Sequence, residues 1–347
     1  MGFTPLPQTT IERWFSTGLY PALQRQITPL SNMLPFAVLD VLAVAGGAAI
    51  VTAIVRAAYA ATRAWHLVPV FRALGNLGVS AALVYLAFLT LWGLNYRRVP
   101  IAERLVVQAG APSSQAVMEL GVEAATRLNA LHGKAHRIGW GDGPSEDAAF
   151  RAAFASAQRA LSDAPPAEPG RLKRTLFGPY LRWTNVDAMI NPFGLEVLTN
   201  PDLLSFERPF VAAHEWSHLA GYADEAEASF VGWLTCMRAG VPARYSGWLF
   251  LYSQVYGEVD ETGRALLERA LGEGPREDLN AIAERLRRGS LPWLRTAGWQ
   301  VYDQYLRANR VEEGVRSYGA VVTLVLRTHF EPDWIPVRRS AVRAPGP

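Results

Sequence analysis

Residues 73–96 read ALGNLGVSAALVYLAFLTLWGLNY, 24 residues without a charge. As a helix this stretch spans ~36 Å, enough to cross a hydrocarbon core of ~30 Å. Trp92 and Tyr96, followed by Arg97 and Arg98, read as an interface belt at its end. Residues 35–55, PFAVLDVLAVAGGAAIVTAIV, form a weaker second candidate, with Asp40 close enough to its start to reach the headgroups. A chain with two such segments folds partly in lipid.

Two spans put both flanks on one side of the membrane. The connection between them carries Arg56, Arg63 and Arg72, against Arg13 and Arg25 before and Arg97, Arg98 and Arg104 after. That asymmetry places the connection in the cytoplasm and the large C-terminal part outside. Residues 1–34 are expected to be an amphipathic segment outside the lipid. They lack a basic start followed by an apolar stretch, so no cleavable signal peptide is expected. Two spans are too few for a transporter.

The net charge of +3 comes from arginine, since Lys134 and Lys173 are the lysines. There is no basic run and no nucleic-acid motif, so nucleic acid is not an expected partner. Membrane lipid is. The one cysteine, Cys236, excludes an internal disulfide and a cysteine-held zinc; its apolar surroundings read as core. Any metal must use His, Asp and Glu.

From about residue 99 to 336 the composition is that of a soluble, α-rich domain, followed by a loose tail at 337–347. Apolar residues recur at helical spacing through QAVMELGVEAATRLNALHG and SEDAAFRAAFASAQRALSDA. APPAEPG breaks the chain, and the turn-rich, β-branched stretch ending in NPFGLEVLTN predicts a short hairpin or small sheet. Helices are then expected over 209–220, 225–239, 241–256, 258–272, 276–288, 296–309 and 312–327. The fold class is mainly α, with N-terminal membrane helices.

Residues 214–230, HEWSHLAGYADEAEASF, carry the chemistry. Residues i and i+4 lie about 40° apart round a helix, so His214 and His218 aim both imidazoles at one point, as two ligands of a tetrahedral zinc require. Glu215 lies about 100° round, where its carboxylate reaches a metal-activated water without being a ligand, the place of a general base. With 6 histidines and 20 glutamates in 347 residues, roughly 0.006 accidental HExxH matches are expected. One Zn²⁺ per chain needs a third protein ligand and one open position. HLAGYAD fits a metzincin frame with Asp224 as that ligand. EAEAS fits a gluzincin frame with Glu225 as the ligand and Ser229, one turn on, supporting it. Geometry leaves Asp224 and Glu225 level, with Glu227 behind. Gly221 permits the sharp turn between the two helices.

HEWSHLAGYADEAEASFVGWL resembles the signature HExxHxxGxxxExEANFxxYL of a family of bacterial membrane proteins known as domain of unknown function 3810. STGLYPALQRQITPLSNMLPF, LWGLNYRRVP and YDQYLRANRVEEGVRSYGAVV are similar to its entry, membrane-exit and C-terminal motifs. The resemblance implies a zincin-like metal domain outside the cytoplasm, held at the bacterial inner membrane, with Glu225 favoured over Asp224 as third ligand. The chain departs from the pattern at Ser229, where Asn is usual; a serine here is expected to hydrogen-bond a ligand carboxylate.

Other residues have weaker claims. Asn185, Asp187 and Asn191 precede the site helix and could line a cleft for an extended peptide, though ordinary turn roles are favoured. Tyr318 could stabilise an oxyanion, against a packing role. Tyr222 is expected to pack. His66, His132, His136 and His329 are read as surface or interface residues without partners at ligand spacing. The expected activity is zinc-dependent peptide or protein hydrolysis with Glu215 as base. The alternative is an envelope scaffold or receptor whose zinc is structural or vestigial. The sequence sets no oligomeric state.

Overall fold

The computed structural model describes residues 7–141, 143–296 and 320–339. Helix α1 (Gln8–Ile11) runs through a π-helical stretch (Glu12–Leu19) into α2 (Tyr20–Met33). Ile11, Phe15, Tyr20, Gln24, Thr28 and Ser31 form the buried face of this segment. It packs on the body of the protein: the Tyr20 hydroxyl donates to the Leu219 carbonyl at 2.7 Å, and the Glu12 carboxylate pairs with Arg98 at 3.2 Å.

Helices α3 (Val38–Ala64) and α4 (Val68–Leu91) are long and apolar enough to cross a membrane. Neither is a buried core helix: none of the most apolar window of α3 and 6% of that of α4 is covered by protein. Both differ from the expected bounds. The first continues through Arg56 and Arg63, because helical hydrogen bonding persists and long arginine stems carry their charge away from the hydrocarbon. It stops at Trp65, whose φ of 54° is left-handed, and Pro69 opens α4. The second ends at Leu91, followed by a 3₁₀ turn (Gly93–Arg97). Trp92 is 4% exposed and packs into the protein rather than forming an interface belt.

The base of α3 is tied to a three-stranded sheet of order β1-β3-β2, made of β1 (Leu172–Lys173), β2 (Ala188–Asn191) and β3 (Glu196–Thr199). β2 and β3 are an antiparallel hairpin with Met189 opposite Leu198, and β1 runs parallel to β3. Glu196, fully buried, accepts from the Val38 and Leu39 amides at 3.1 and 2.9 Å and from Lys173 Nζ at 2.8 Å. Burial alone would raise its pKa; these donors, with Asn191, hold it below the usual carboxylate value. The first amides of a helix need such acceptors, and a carboxylate suits the positive end of the dipole. Asp40 returns the tie, accepting from the Thr175 hydroxyl at 2.6 Å and the Leu176 amide at 2.9 Å. Its carboxylate is bonded to protein rather than left to headgroups.

The remaining helices among the described residues are α5 (Ile101–Arg104), α6 (Ser114–Ile138), α7 (Ala148–Leu161), α8 (Gly178–Thr184), α9 (Arg208–Leu219), α10 (Glu225–Met237), α11 (Val241–Glu258), α12 (Glu261–Ala270), α13 (Glu273–Gly289) and α14 (Ala320–Arg327). A two-stranded ribbon, β4 (Phe330–Glu331) with β5 (Ile335–Pro336), follows. The chain is thus mainly helical. Helix α10 is buried on all sides among α7, α9, α11 and α14, which explains its apolar run FVGWLTCM. Trp216, Trp233, Phe154, Phe230 and Tyr245 fill the core around it. Cys236 is fully buried there, and burial pushes its thiol pKa up.

Candidate metal centre

Helix α9 carries His214, Glu215 and His218. Trp216, on its buried side, donates from Nε1 to the Gly170 carbonyl at 2.7 Å and fixes the rotation of the helix. The last turn closes with the Gly221 amide on the His218 carbonyl at 3.0 Å and the Tyr222 amide on the Ser217 carbonyl at 3.0 Å, with Gly221 at φ 83°. This is the paired ending that glycine allows. A Cβ on Gly221 would lie 3.0 Å from Asn95 Oδ1. The expected turn is there, and it brings α10 back against α9. Gly232 makes the approach close: a Cβ on it would meet the His214 backbone nitrogen at 3.0 Å.

Three donor atoms converge. His214 Nε2 and His218 Nε2 are 3.1 Å apart, and Glu225 Oε2 is 3.3 Å from the first and 3.6 Å from the second. Four donors about 2.05 Å from a tetrahedral ion stand about 3.3 Å from one another. His218 Nδ1 meets the Tyr222 carbonyl at 2.7 Å, which can only accept, so Nδ1 carries the proton and a neutral His218 turns a lone pair inward from Nε2. His214 Nδ1 meets Ser229 Oγ at 3.2 Å. Two imidazole nitrogens and a carboxylate at this spacing repel unless a cation or proton sits among them. The electrostatics of the pair point the same way. Burial pushes the His218 pKa down, but the Glu225 carboxylate overrides it and lifts the value to about 9. Burial would raise Glu225, and His218 and His214 hold it well below the usual range.

Glu215 lies on the same helix, 5% exposed, and its Oε2 has no hydrogen-bond partner among the described residues. Burial raises its pKa, partly offset by the two histidines and reinforced by Glu225 and Asp187. An unsatisfied buried carboxylate oxygen is costly. Beside a converged N, N, O donor set it fits a group that works on a metal-activated water, so the residues present fit a divalent ion.

The other acids are occupied elsewhere. Asp224 caps α10, accepting from the Glu227 amide at 3.0 Å. Glu227 accepts from the Ile101 amide at 2.5 Å, and burial lifts its pKa to about 7. Ser229 bonds the His214 ring rather than the Glu225 carboxylate, because residue 229 faces α9 where Gly232 lets the helices close up. Asn191 is fully buried and donates to Glu196 at 2.9 Å, so it braces the hairpin rather than a cleft. Asn185 ends α8 in a left-handed conformation. Asp187 pairs with Arg285 at 2.8 Å. Tyr318 lies outside the described residues.

Sequence reasoning missed the wall behind the site. Trp92 Nε1 donates to the His218 carbonyl at 2.8 Å, and the Trp92 ring stands edge-on to the His218 ring with centroids 6.4 Å apart. Arg98 donates to the Ala220 carbonyl at 3.1 Å and lies 4.5 Å over the Tyr222 ring. LWGLNYRRVP therefore clamps the end of α9. It also missed that His132 and His136, four apart on α6, meet Asp278 of α13. The spacing that marks His214 and His218 was the available signal.

A family model described as Protein of unknown function (DUF3810) matches residues 15–326. No curated protein and no solved structure matches the chain.

Proposed function

We propose, from the premise that this chain belongs to the family described as Protein of unknown function (DUF3810), that it is a membrane-anchored, zincin-like zinc metallohydrolase acting on peptides. The observation that carries the reading is the convergence of His214 Nε2, His218 Nε2 and Glu225 Oε2 within 3.1–3.6 Å of one another, next to Glu215 Oε2, which has no hydrogen-bond partner among the described residues. His214, His218 and Glu225 would hold one Zn²⁺. Bound there, zinc supplies an electrophile for the scissile carbonyl and lowers the pKa of water toward ~7.

Glu215 takes the proton of the attacking water on its carboxylate and delivers it to the leaving amine. Its burial suits both halves of that exchange, since a raised pKa lets the carboxyl hold a proton near neutral pH. Ser229 and the Tyr222 carbonyl fix the two rings by their Nδ1 atoms. β2 is an edge strand of its sheet and packs against α9, which suits an extended peptide added alongside. The apolar helices α3 and α4 anchor the domain to lipid, and Arg56, Arg63 and Arg72 around their short connection, against Arg13 and Arg25 before α3, favour the outer face of a bacterial inner membrane for the domain.

The scaffold alternative calls for a fourth protein donor closing a structural site. Asp224 and Glu227, which could have supplied it, are spent on α10 and on the Ile101 amide. That favours the hydrolase. The test is metal analysis and peptide-library cleavage with the full chain in detergent, wild type beside Glu215→Gln. Retained zinc with lost cleavage is the expected result. Zinc-bearing wild-type protein idle toward every peptide would return the site to the scaffold reading.

A further inference from the structure

Away from α9, one other set of ligand-type side chains converges among the described residues. His132 and His136 stand one turn apart on α6 with ring centroids 4.3 Å apart, and Asp278 arrives from α13. His136 Nε2 is 2.8 Å and His132 Nε2 3.6 Å from the same atom, Asp278 Oδ2. We propose that His132, His136 and Asp278 form a second divalent-cation site, of the two-imidazole, one-carboxylate class, that clamps α13 to α6.

Asp278 is 7% exposed, and its ion-pair partners among the described residues are these two imidazoles, with no lysine or arginine. A buried carboxylate is stabilised by positive charge beside it. A divalent cation held by all three satisfies the acid and both nitrogens at once. The separations of 2.8 and 3.6 Å bracket the roughly 3.0–3.3 Å between neighbouring donors around a first-row ion. Imidazole with carboxylate suits zinc, nickel, cobalt or iron rather than calcium or magnesium.

The surroundings have the form of a built site. Tyr245, fully buried on α11, donates its hydroxyl to Asp278 Oδ2 and orients the carboxylate. Gly274 gives His132 its place: a Cβ there would lie 2.3 Å from His132 Cε1 and 2.4 Å from Nδ1. Trp140 stands edge-on to His136 with centroids 5.0 Å apart and forms an apolar wall. The side chains of His132 and His136 are 25% and 37% exposed, which leaves the outer face open to water as further ligand.

The clamp has a target. Helix α13 also carries Arg285, which bridges Asp187 at 2.8 Å and Glu207 at 2.7 Å. Glu207 directly precedes α9. A cation that fixes α13 thereby fixes the start of the helix bearing the HExxH pair, from the end opposite to Trp92. Its role is positional.

The test is a titration of the full chain in detergent, stripped with chelator and loaded with Zn²⁺ or Co²⁺ alone, with bound metal counted by mass spectrometry. Wild type is expected to hold two ions per chain. His132→Gln and His136→Gln should each hold one, and His214→Gln with His218→Gln should also leave one. His136 faces solvent, so its variant should fold, and metal-free melting curves equal to wild type confirm it; only the metal-induced rise in melting temperature should shrink. Two failures overturn the proposal: equal metal content in wild type, His132→Gln and His136→Gln, or complete loss of metal in the His214/His218 variant. Either would reduce the cluster to a hydrogen-bonded His136–Asp278–Tyr245 set. One ion in wild type, lost with His136→Gln and kept in the His214/His218 variant, would uphold the clamp and refute the reading of the α9 site.

Discussion

Trp92 Nε1 donates to the main-chain carbonyl of His218 at 2.8 Å. The first residue beyond α4, the second helix long and apolar enough to cross a membrane, thus holds the last turn of the helix that carries the HExxH pair, and the two apolar helices and the candidate metal centre are one packed unit. Trp92→Phe keeps most of the ring and loses the bond. The His218 carbonyl still accepts from Gly221, so the cost should be about 1 kcal/mol. Trp92→Ala removes a buried indole and should cost about 3–5 kcal/mol. Chemical denaturation in detergent separates the two. Equal effects would mean that packing alone holds the turn.

The N-terminal segment should behave as part of the domain that carries α9. Tyr20 bonds the Leu219 carbonyl, and Glu12 pairs with Arg98 and Arg104 at 3.2 and 3.6 Å. Deleting residues 1–34 should lower the resistance of α9 to proteolysis and weaken metal binding, although no donor atom is removed. Unchanged proteolysis and unchanged zinc content would show the segment to be an independent appendage.

The Ser229 hydroxyl faces His214 Nδ1 at 3.2 Å. Ser229→Ala should weaken zinc binding by roughly 10–100-fold, the usual range for removing a ligand's hydrogen-bond partner. Ser229→Asn restores an amide oxygen able to accept from Nδ1 and should recover most of the affinity. Competition with a zinc-sensitive dye reads both.

Zinc uptake should release protons. In the metal-free protein His218 keeps its proton up to about pH 9, because Glu225 stands beside it. A raised histidine stabilises the fold fully below its unfolded value near 6.5, and that contribution disappears as pH rises through about 9. Glu225 runs the other way: a depressed acid stabilises above its unfolded value, and the contribution is lost as pH falls through the folded one. The metal-free protein should therefore lose stability on both sides of neutrality. Zinc must displace the His218 proton, so binding near pH 7 should release about one proton per chain and weaken at lower pH. Calorimetry in buffers of different ionisation enthalpy measures the release.

The sequence made some of this legible and not the rest, for physical reasons. HExxH and Gly221 are local: a helical period and a left-handed turn need only neighbouring residues. The two apolar helices were equally visible, but their ends were not. Arginine does not terminate a helix, so charge marked the edge of the apolar stretch rather than the edge of α3. The choice between Asp224 and Glu225 had a local clue: Asp224 followed three residues later by Glu227 is a capping pattern, and it is as a cap that Asp224 is used. The role of Asn191 depends on Glu196 across a hairpin. The partnership of His136 with Asp278 spans 142 residues. Trp92 behind His218 spans 126, and no periodicity in either segment announces it.

Diffraction from crystals of the full chain at the zinc absorption edge reaches the central claim most directly. The account predicts an anomalous peak ~2.0–2.2 Å from His214 Nε2, His218 Nε2 and a Glu225 carboxylate oxygen, with the remaining position held by solvent beside Glu215. A peak enclosed by four protein donors, or zinc-loaded crystals with no peak between those three side chains, would contradict it.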